Sequence, residues 1–178
     1  FDFFCEITYL EKLFSGSAFF DAYHRARFAC DREQELGQLS GACLMVKREA
    51  MEKTGVFDEN FFLYFEETDW CERVRQAGYR LLYVPAATLV HHEGKSSGLD
   101  KRRSVELWHD SQLYLTRKHY GPAAALGLYA INLTGYALRI LTAPVYVVKD
   151  RNWGKIKKNL WQLGYHMDLR QLGREFDL

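Results

Sequence analysis

The sequence predicts an α/β domain followed by a helical tail, for two reasons. Short apolar runs typical of strands alternate with stretches that have the period of a helix. After residue 121 the sequence becomes almost uniformly apolar, and then basic. We therefore expect one domain in residues 1–120 and a separate helical tail in residues 121–178. The predicted strands lie at residues 39–46, 79–85 and 87–92, and the predicted helices of the domain at residues 47–54, 68–78 and 104–120.

Composition limits the class of protein. The 178 residues suffice for one domain with its own core, and 48% of them are hydrophobic, as in a folded protein. The net charge of +1 gives no attraction to nucleic acid, so we expect no nucleic-acid partner. The chain starts at Phe1 in the middle of a pattern. We therefore expect it to be part of a longer protein.

Helix boundaries are predicted from capping residues. Gly55 fits the position just after the helix KREAMEKT, where a positive φ is needed. Thr68 is expected to cap the start of the next helix, and Gly78 to follow its end. Ser104 is expected to cap the third helix. Residues 1–38 show no clean period, so the sequence predicts little there.

The tail has the composition of a membrane-associated segment. Residues 122–148 contain no acid and a single strong charge, Arg139. This run approaches the roughly 20 residues of a membrane-spanning helix, although Pro144 is expected to break it near its end. The following residues, KDRNWGKIKKNLW, combine basic side chains with tryptophan, which favours contact with an anionic membrane face. The alternative is a helix pair packed on the domain or on a second subunit.

Three acids stand at the expected start of the second helix. Glu66, Glu67 and Asp69 carry like charges that repel one another, and the helix dipole offsets part of this cost. They could simply cap the helix. Alternatively, one of them is a general base that takes a proton from an attacking hydroxyl.

Aromatic side chains precede these acids. Phe61, Phe62, Tyr64 and Phe65 would lower the local dielectric and raise the pKa of a neighbouring carboxylate. They could also stack on a sugar ring. We therefore expect Phe62, Tyr64 and Phe65 to contact a substrate.

A histidine pair, His91 and His92, ends the last predicted strand. Neighbouring side chains in a strand point to opposite faces, so one of the two should face the acids. Imidazole and carboxylate ligands together would suit Mg²⁺ or Mn²⁺. The stretch HEGKS is not a zincin motif, because Ser96 stands where the second histidine belongs. It is not a Walker A motif either, because Leu89 occupies the first glycine position.

The segment from residue 40 to 97 resembles the C-terminal half of the catalytic domain of family 2 glycosyltransferases, especially bacterial rhamnosyltransferase-like enzymes. The matching stretches are SGACLMVKREAMEKTGVFDENFFLYFEETDWCERVRQAGYRLLYVP and VHHEGKSS. The resemblance implies a GT-A fold, with a Rossmann-like nucleotide-sugar-binding half followed by an acceptor-binding half. Residues 1–120 would be the acceptor-side half. The sequence has no DxD motif, which the family carries in its first half.

The resemblance also implies roles for individual residues. The acidic motif of the family falls on Glu66 and Glu67, with Glu67 as the base and Asp69 as an alternative base or a neighbouring support. The metal-binding histidine falls on His91 or His92, with His91 slightly favoured, and the implied cation is Mg²⁺ or Mn²⁺. Lys95 and Ser96 would lie in a loop that closes over the donor diphosphate.

The function expected from these observations is inverting, metal-assisted transfer of a sugar from a nucleotide-sugar donor. The acceptor would be a saccharide or a lipid-linked molecule in cell-surface polysaccharide synthesis, at the cytoplasmic face of the bacterial inner membrane. The alternative is a non-catalytic, membrane-tethered carbohydrate-binding or scaffold fragment. A metallohydrolase is less favoured, because no hydrolase spacing occurs.

Overall fold

The computed structural model describes residues 31–92, 100–150 and 153–167. These residues fall into two compact units. One contains residues 31–92 and 100–115, and the other contains residues 116–150 and 153–167. Expectations for residues 1–30 lie outside the described residues.

The described residues form five helices and two short strands. The strands pair antiparallel, with Leu36 opposite Leu81 and Gln34 opposite Tyr83. The elements in chain order are β1 (Gln34–Leu36), α1 (Arg48–Thr54), α2 (Glu66–Gln76), β2 (Leu81–Tyr83), α3 (Lys101–Tyr120), α4 (Pro122–Asp150) and α5 (Trp153–His166). The fold is thus mainly helical with a small two-stranded sheet.

The core of the first unit is built around α2. Trp70, Cys71 and Val74 are buried on one side of this helix, together with Leu81 of β2. The indole N–H of Trp70 donates a hydrogen bond of 2.9 Å to the carbonyl oxygen of Gly55. This bond lets a large side chain enter the core without leaving a polar atom unpaired.

The helix ends agree with the glycine predictions. Helix α1 stops at Thr54, and Gly55 follows with φ 74. Helix α2 stops at Gln76, and Gly78 has φ 89. Both glycines therefore have the positive φ that residues with a side chain rarely adopt, and each lies just after a helix end.

The predicted helix starts were wrong at two places. Helix α2 begins at Glu66, so Thr68 lies within its first turn and does not cap it. Helix α3 begins at Lys101, three residues before Ser104. There the Asp100 carboxylate accepts the N–H of Arg103 at 2.8 Å, which makes Asp100 the capping residue.

Two predicted strands were also wrong. Residues 39–46 form a turn followed by irregular chain, and residues 87–92 are irregular and exposed. Leu39, Leu44 and Val46 still pack against the core, but Met45 is fully exposed. A strand needs a partner that satisfies its backbone hydrogen bonds. In the described sheet the partner of β2 is β1, from a segment without a strand-like pattern.

The second unit is a helix pair. Helices α4 and α5 pack against each other, and α4 continues through Pro144 to Asp150. The predicted break at this proline was wrong, because a long helix can lose one backbone hydrogen bond and continue. Buried residues recur on one face of α4 every three or four positions, at Ala125, Tyr129, Asn132 and Tyr136.

Another face of α4 is apolar and exposed. Leu126, Ile131, Leu138 and Leu141 each expose more than a third of their surface. Within the described part of the chain, one segment is long and apolar enough to cross a membrane, namely Pro122–Leu141. Only 28% of that segment is buried. Association of the tail with a membrane stays a prediction.

Candidate functional site

The three predicted acids lie together in the first turn of α2. Their surroundings nevertheless differ. Asp69 is fully buried, whereas Glu66 and Glu67 are half-buried. The helix N-terminus, with its unpaired N–H groups, favours negative charge at all three positions.

Glu67 lies against the backbone of Gly41. A Cβ atom placed on Gly41 would stand 3.4 Å from the Cβ of Glu67 and 3.7 Å from its Cδ. Burial is the main cause that raises the pKa of Glu67 above its usual value of about 4.5, and the charge of Glu66 raises it further. Hydrogen bonds to the backbone of Glu67, Gly41 and Thr68 oppose this shift without cancelling it. A carboxylate with a raised pKa is a stronger base.

Glu66 has a carboxylate oxygen that is buried without a hydrogen-bond partner among the described residues. This atom is Oε2. Buried acceptors are nearly always paired, so an unpaired one marks a place where a ligand hydroxyl could donate. It lies on the residue next to Glu67.

Asp69 makes the contacts of a supporting residue. Its Oδ2 accepts a hydrogen bond of 2.8 Å from the Nε of Arg73, one turn later on α2. The same guanidinium donates to the carbonyl oxygen of Thr54 and, at 2.8 Å, to that of Val56. The pair therefore ties α2 to the end of α1. A role of Asp69 as base stays a prediction.

The chain enters α2 through an unusual backbone conformation. Tyr64 and Phe65 have φ angles of 69 and 67, in the left-handed region. This conformation costs bulky residues roughly 1–2 kcal/mol each. Surrounding contacts must therefore hold the two residues in place.

Helix α3 supplies contacts to the loop of residues 58–65. The hydroxyl of Ser111 donates a hydrogen bond of 2.8 Å to the carbonyl oxygen of Leu63. The ring of Trp108 packs on Phe65 with centroids 5.4 Å apart. Sequence reasoning missed these residues, although the three-residue spacing of Trp108, Ser111 and Tyr114 places them on neighbouring positions of one helix side.

Tyr114 holds the beginning of the same loop. Its hydroxyl donates to the carboxylate of Asp58 at 3.1 Å, and its ring meets Phe61 edge-on at 4.8 Å. Asp58 also accepts the backbone N–H of Asn60 at 3.0 Å, which forms a turn.

The four aromatic residues before the acids do not form one wall. Phe61 is buried at 5% exposure, whereas Phe62 is 76% exposed. Tyr64 and Phe65 are half-buried. Phe62 thus presents the largest free ring surface of the four. Its contact with a substrate, like that of Tyr64 and Phe65, stays a prediction.

The segment before α1 lies along the start of α2. The side-chain amide of Gln38 donates a hydrogen bond of 2.8 Å to the hydroxyl of Thr68. Gly41 lies against Glu67, as described above. Together with the loop 58–65, this segment borders the acidic turn.

The metal-binding prediction gains no geometric support. His91 and His92 are exposed and lie in irregular chain. Within residues 31–92, 100–150 and 153–167, no group of three or more histidine, cysteine or acidic side chains could hold a metal ion. The described residues do not make a cation site by themselves. Lys95 and Ser96 lie outside the described residues.

Several curated proteins similar to this chain are glycosyltransferases. The N-acetylglucosaminyl-diphospho-decaprenol L-rhamnosyltransferase of Mycobacterium tuberculosis is 38% identical over 101 residues, which are 56% of this chain and 33% of that protein. Rhamnosyltransferase WbbL of Escherichia coli is 34% identical over 83 residues, 44% of this chain and 30% of that protein. The low-salt glycan biosynthesis hexosyltransferase Agl10 of Haloferax volcanii is 28% identical over 53 residues, 30% of this chain and 17% of that protein.

These similarities support a glycosyltransferase family for this chain. The described fold, helical with a two-stranded sheet, is compatible with part of a glycosyltransferase domain. The chain spans about a third of the length of the rhamnosyltransferases it matches. No family model matches the chain. No solved structure matches it either.

The ion pair of Asp69 and Arg73 should stabilise the first unit as a coupled pair. Arg73→Met should lower the free energy of unfolding by about 3–5 kcal/mol, because it leaves a buried carboxylate without its guanidinium. In an Asp69→Asn background the same substitution should cost less. Denaturant unfolding of the purified chain measures both values.

A matched control is Arg75→Met on the same helix, whose ion pair with Glu72 is largely exposed. It should cost no more than about 1 kcal/mol. An equal cost of Arg73→Met in both backgrounds would show that Asp69 and Arg73 are not coupled.

Proposed function

We propose that this chain is the acceptor-side part of a family 2 glycosyltransferase with a GT-A fold. The protein would transfer a sugar, with inversion, from a nucleotide-sugar donor to a saccharide or lipid-linked acceptor in cell-surface polysaccharide synthesis. The names of the similar proteins favour a rhamnosyl or another hexosyl group. The observation that carries the proposal is Glu67, a half-buried carboxylate with a raised pKa at a helix start.

In this proposal Glu67 is the general base. Its carboxylate accepts the proton of an acceptor hydroxyl while the hydroxyl oxygen forms a bond to the anomeric carbon. The bond from that carbon to the diphosphate oxygen breaks, and the nucleoside diphosphate leaves with the electron pair. Attack from the side opposite the leaving group inverts the anomeric centre.

The surroundings of Glu67 fit this role. Burial makes the carboxylate more basic, while the backbone N–H of Gly41 and those of the helix start help to keep it ionised and oriented. The Oε2 of Glu66, which has no hydrogen-bond partner among the described residues, would accept a second hydroxyl of the acceptor. Asp69, held by Arg73, supports the turn that carries both glutamates.

Other contacts complete the proposal. The exposed ring of Phe62 would stack on the acceptor sugar, with Tyr64 and Phe65 shaping the same side. Lys95 and Ser96 would contact the donor diphosphate. The assignment of Glu67 as the base rests on its own pKa and packing, and it does not require these further contacts.

Replacing the base should abolish transfer. In the natural full-length protein, Glu67→Gln should lower sugar turnover by about 10²–10⁴-fold, which is the usual contribution of a general base. Turnover of the unmodified protein should also fall as the pH drops through the pKa of Glu67, above its usual value of about 4.5, because only the ionised carboxylate accepts a proton. A radiolabelled-sugar transfer assay measures both.

The matched control is Glu52→Gln, an exposed glutamate of α1, which should leave turnover unchanged. Near-normal turnover of Glu67→Gln would remove Glu67 as the base. Saccharide binding by the unmodified full-length protein without any turnover would instead favour the non-catalytic alternative.

A divalent cation, Mg²⁺ or Mn²⁺, is part of the proposal. When bound, it would neutralise charge on the leaving diphosphate. His91 or His92 could supply one ligand, and a complete set would need at least one ligand from outside the described residues. Chelation with EDTA should abolish transfer, and added Mg²⁺ or Mn²⁺ should restore it. Full activity in EDTA after exhaustive dialysis would contradict this requirement.

We further propose that the tail places the protein at the cytoplasmic face of the bacterial inner membrane. The exposed apolar face of α4 supports this, because an apolar surface of this kind is typically buried against a membrane or a protein partner. The purified chain should float with vesicles that contain anionic lipid, and Leu141→Glu should reduce the floated fraction several-fold. Met45→Glu, at a fully exposed apolar residue of the other unit, is the control and should float normally. Equal flotation of the two variants would exclude contact through this face.

A further inference from the structure

The loop of residues 58–65 cannot hold its shape by its own backbone preferences. Tyr64 and Phe65 both adopt left-handed conformations directly before α2. Neither residue type favours that region. If external contacts were lost, the loop would relax towards ordinary conformations, and the first turn of α2 would move with it.

One contact directly before this strained pair comes from Ser111. Its hydroxyl donates a hydrogen bond of 2.8 Å to the carbonyl oxygen of Leu63, the residue directly before Tyr64. Ser111 is only 6% exposed, so water cannot easily replace the bond. The bond fixes the peptide unit between Leu63 and Tyr64, which directly precedes the two left-handed residues.

Two further contacts of α3 flank this bond. Trp108 packs on Phe65 at the end of the loop, and Tyr114 bonds Asp58 at its beginning. The aromatic contacts restrain the ends of the loop, and the Ser111 hydroxyl bonds a backbone group within it. Removing this hydroxyl would therefore release the loop backbone with little loss of packing.

We propose that Ser111 is a positioning residue for the general base, acting through Leu63, Tyr64 and Phe65 on the first turn of α2. This inference rests on the proposed function, in which Glu67 is the base. Ser111 does not touch substrate. Its hydroxyl holds the loop so that the Glu67 carboxylate faces the acceptor hydroxyl at reacting distance. A displacement of about 1 Å in such a group can lower the rate about 100-fold.

The test uses the natural full-length protein and three variants in the sugar-transfer assay. Ser111→Ala removes the donor and should lower kcat about tenfold or more. The KM for the nucleotide sugar should change less than about twofold, because the loop belongs to the acceptor side. Ser111→Thr keeps the hydroxyl and should recover most of the turnover. Ser104→Ala removes a hydroxyl that donates to a carbonyl of the same helix end, that of Asp100 at 3.0 Å, and should behave as the unmodified protein.

The outcomes separate this inference from the proposed function. If Glu67→Gln is inactive while Ser111→Ala retains normal kcat, the positioning role is overturned and the function stands. If Ser111→Thr is as slow as Ser111→Ala, the hydroxyl is not what positions the base. Near-normal turnover of Glu67→Gln would overturn the base assignment and this inference together.

A second variant covers the case in which Ser111→Ala does not fold. Tyr114→Phe removes only the hydroxyl that bonds Asp58 and keeps the ring on Phe61. It should lower kcat by a few-fold, again with little change in the KM for the nucleotide sugar. Normal kcat in a folded Tyr114→Phe variant would then count against positioning by α3.

Discussion

The candidate site depends on the way the chain enters α2. Two consecutive bulky residues, Tyr64 and Phe65, take left-handed conformations that their side chains disfavour. The cost is met by contacts distant in sequence, since Ser111 and Trp108 of α3 hold the loop from which the pair starts. Because α2 begins at the next residue, the direction of its acidic first turn follows from this strained entry.

The three acids Glu66, Glu67 and Asp69 look alike in the sequence but have different electrostatic environments in the structure. All three lie in one helix turn, but Asp69 is fully buried and paired with Arg73, whereas the pKa of Glu67 is raised mainly by its burial. Glu66 contributes negative charge and an oxygen that has no partner within the described part of the chain. A helix start can carry several carboxylates when one of them is neutralised internally. The basicity of Glu67 is compatible with a stable fold for this reason.

The sequence predicted features that depend on neighbouring residues. It did not predict features that depend on contacts between residues distant in the chain. The positive φ values of Gly55 and Gly78 and the acidic helix start were predictable from residue type and spacing. The strands at residues 39–46 and 87–92 were wrong, because apolar runs do not reveal whether a partner strand exists. The support from Ser111 was also missed, since a serine within a helix gives no sign of a bond to a loop 48 residues earlier. Which members of the aromatic run are buried was equally hidden, because Phe61 and Phe62 are identical in type and opposite in exposure.

The contact between Gly41 and Glu67 gives a physical reason for a glutamate at this position. The Cβ, Cγ and Cδ atoms of Glu67 all lie within van der Waals distance of the place where a Gly41 side chain would begin. The side chain therefore runs along the segment before α1, and its extra methylene, relative to aspartate, is covered by backbone. The hydrogen bond from the backbone of Gly41 orients the carboxylate and lowers its pKa, whereas burial, the largest cause, raises the pKa above its usual value. Two segments far apart in sequence, residues 38–43 and the loop held by α3, thus border the helix turn that carries this carboxylate.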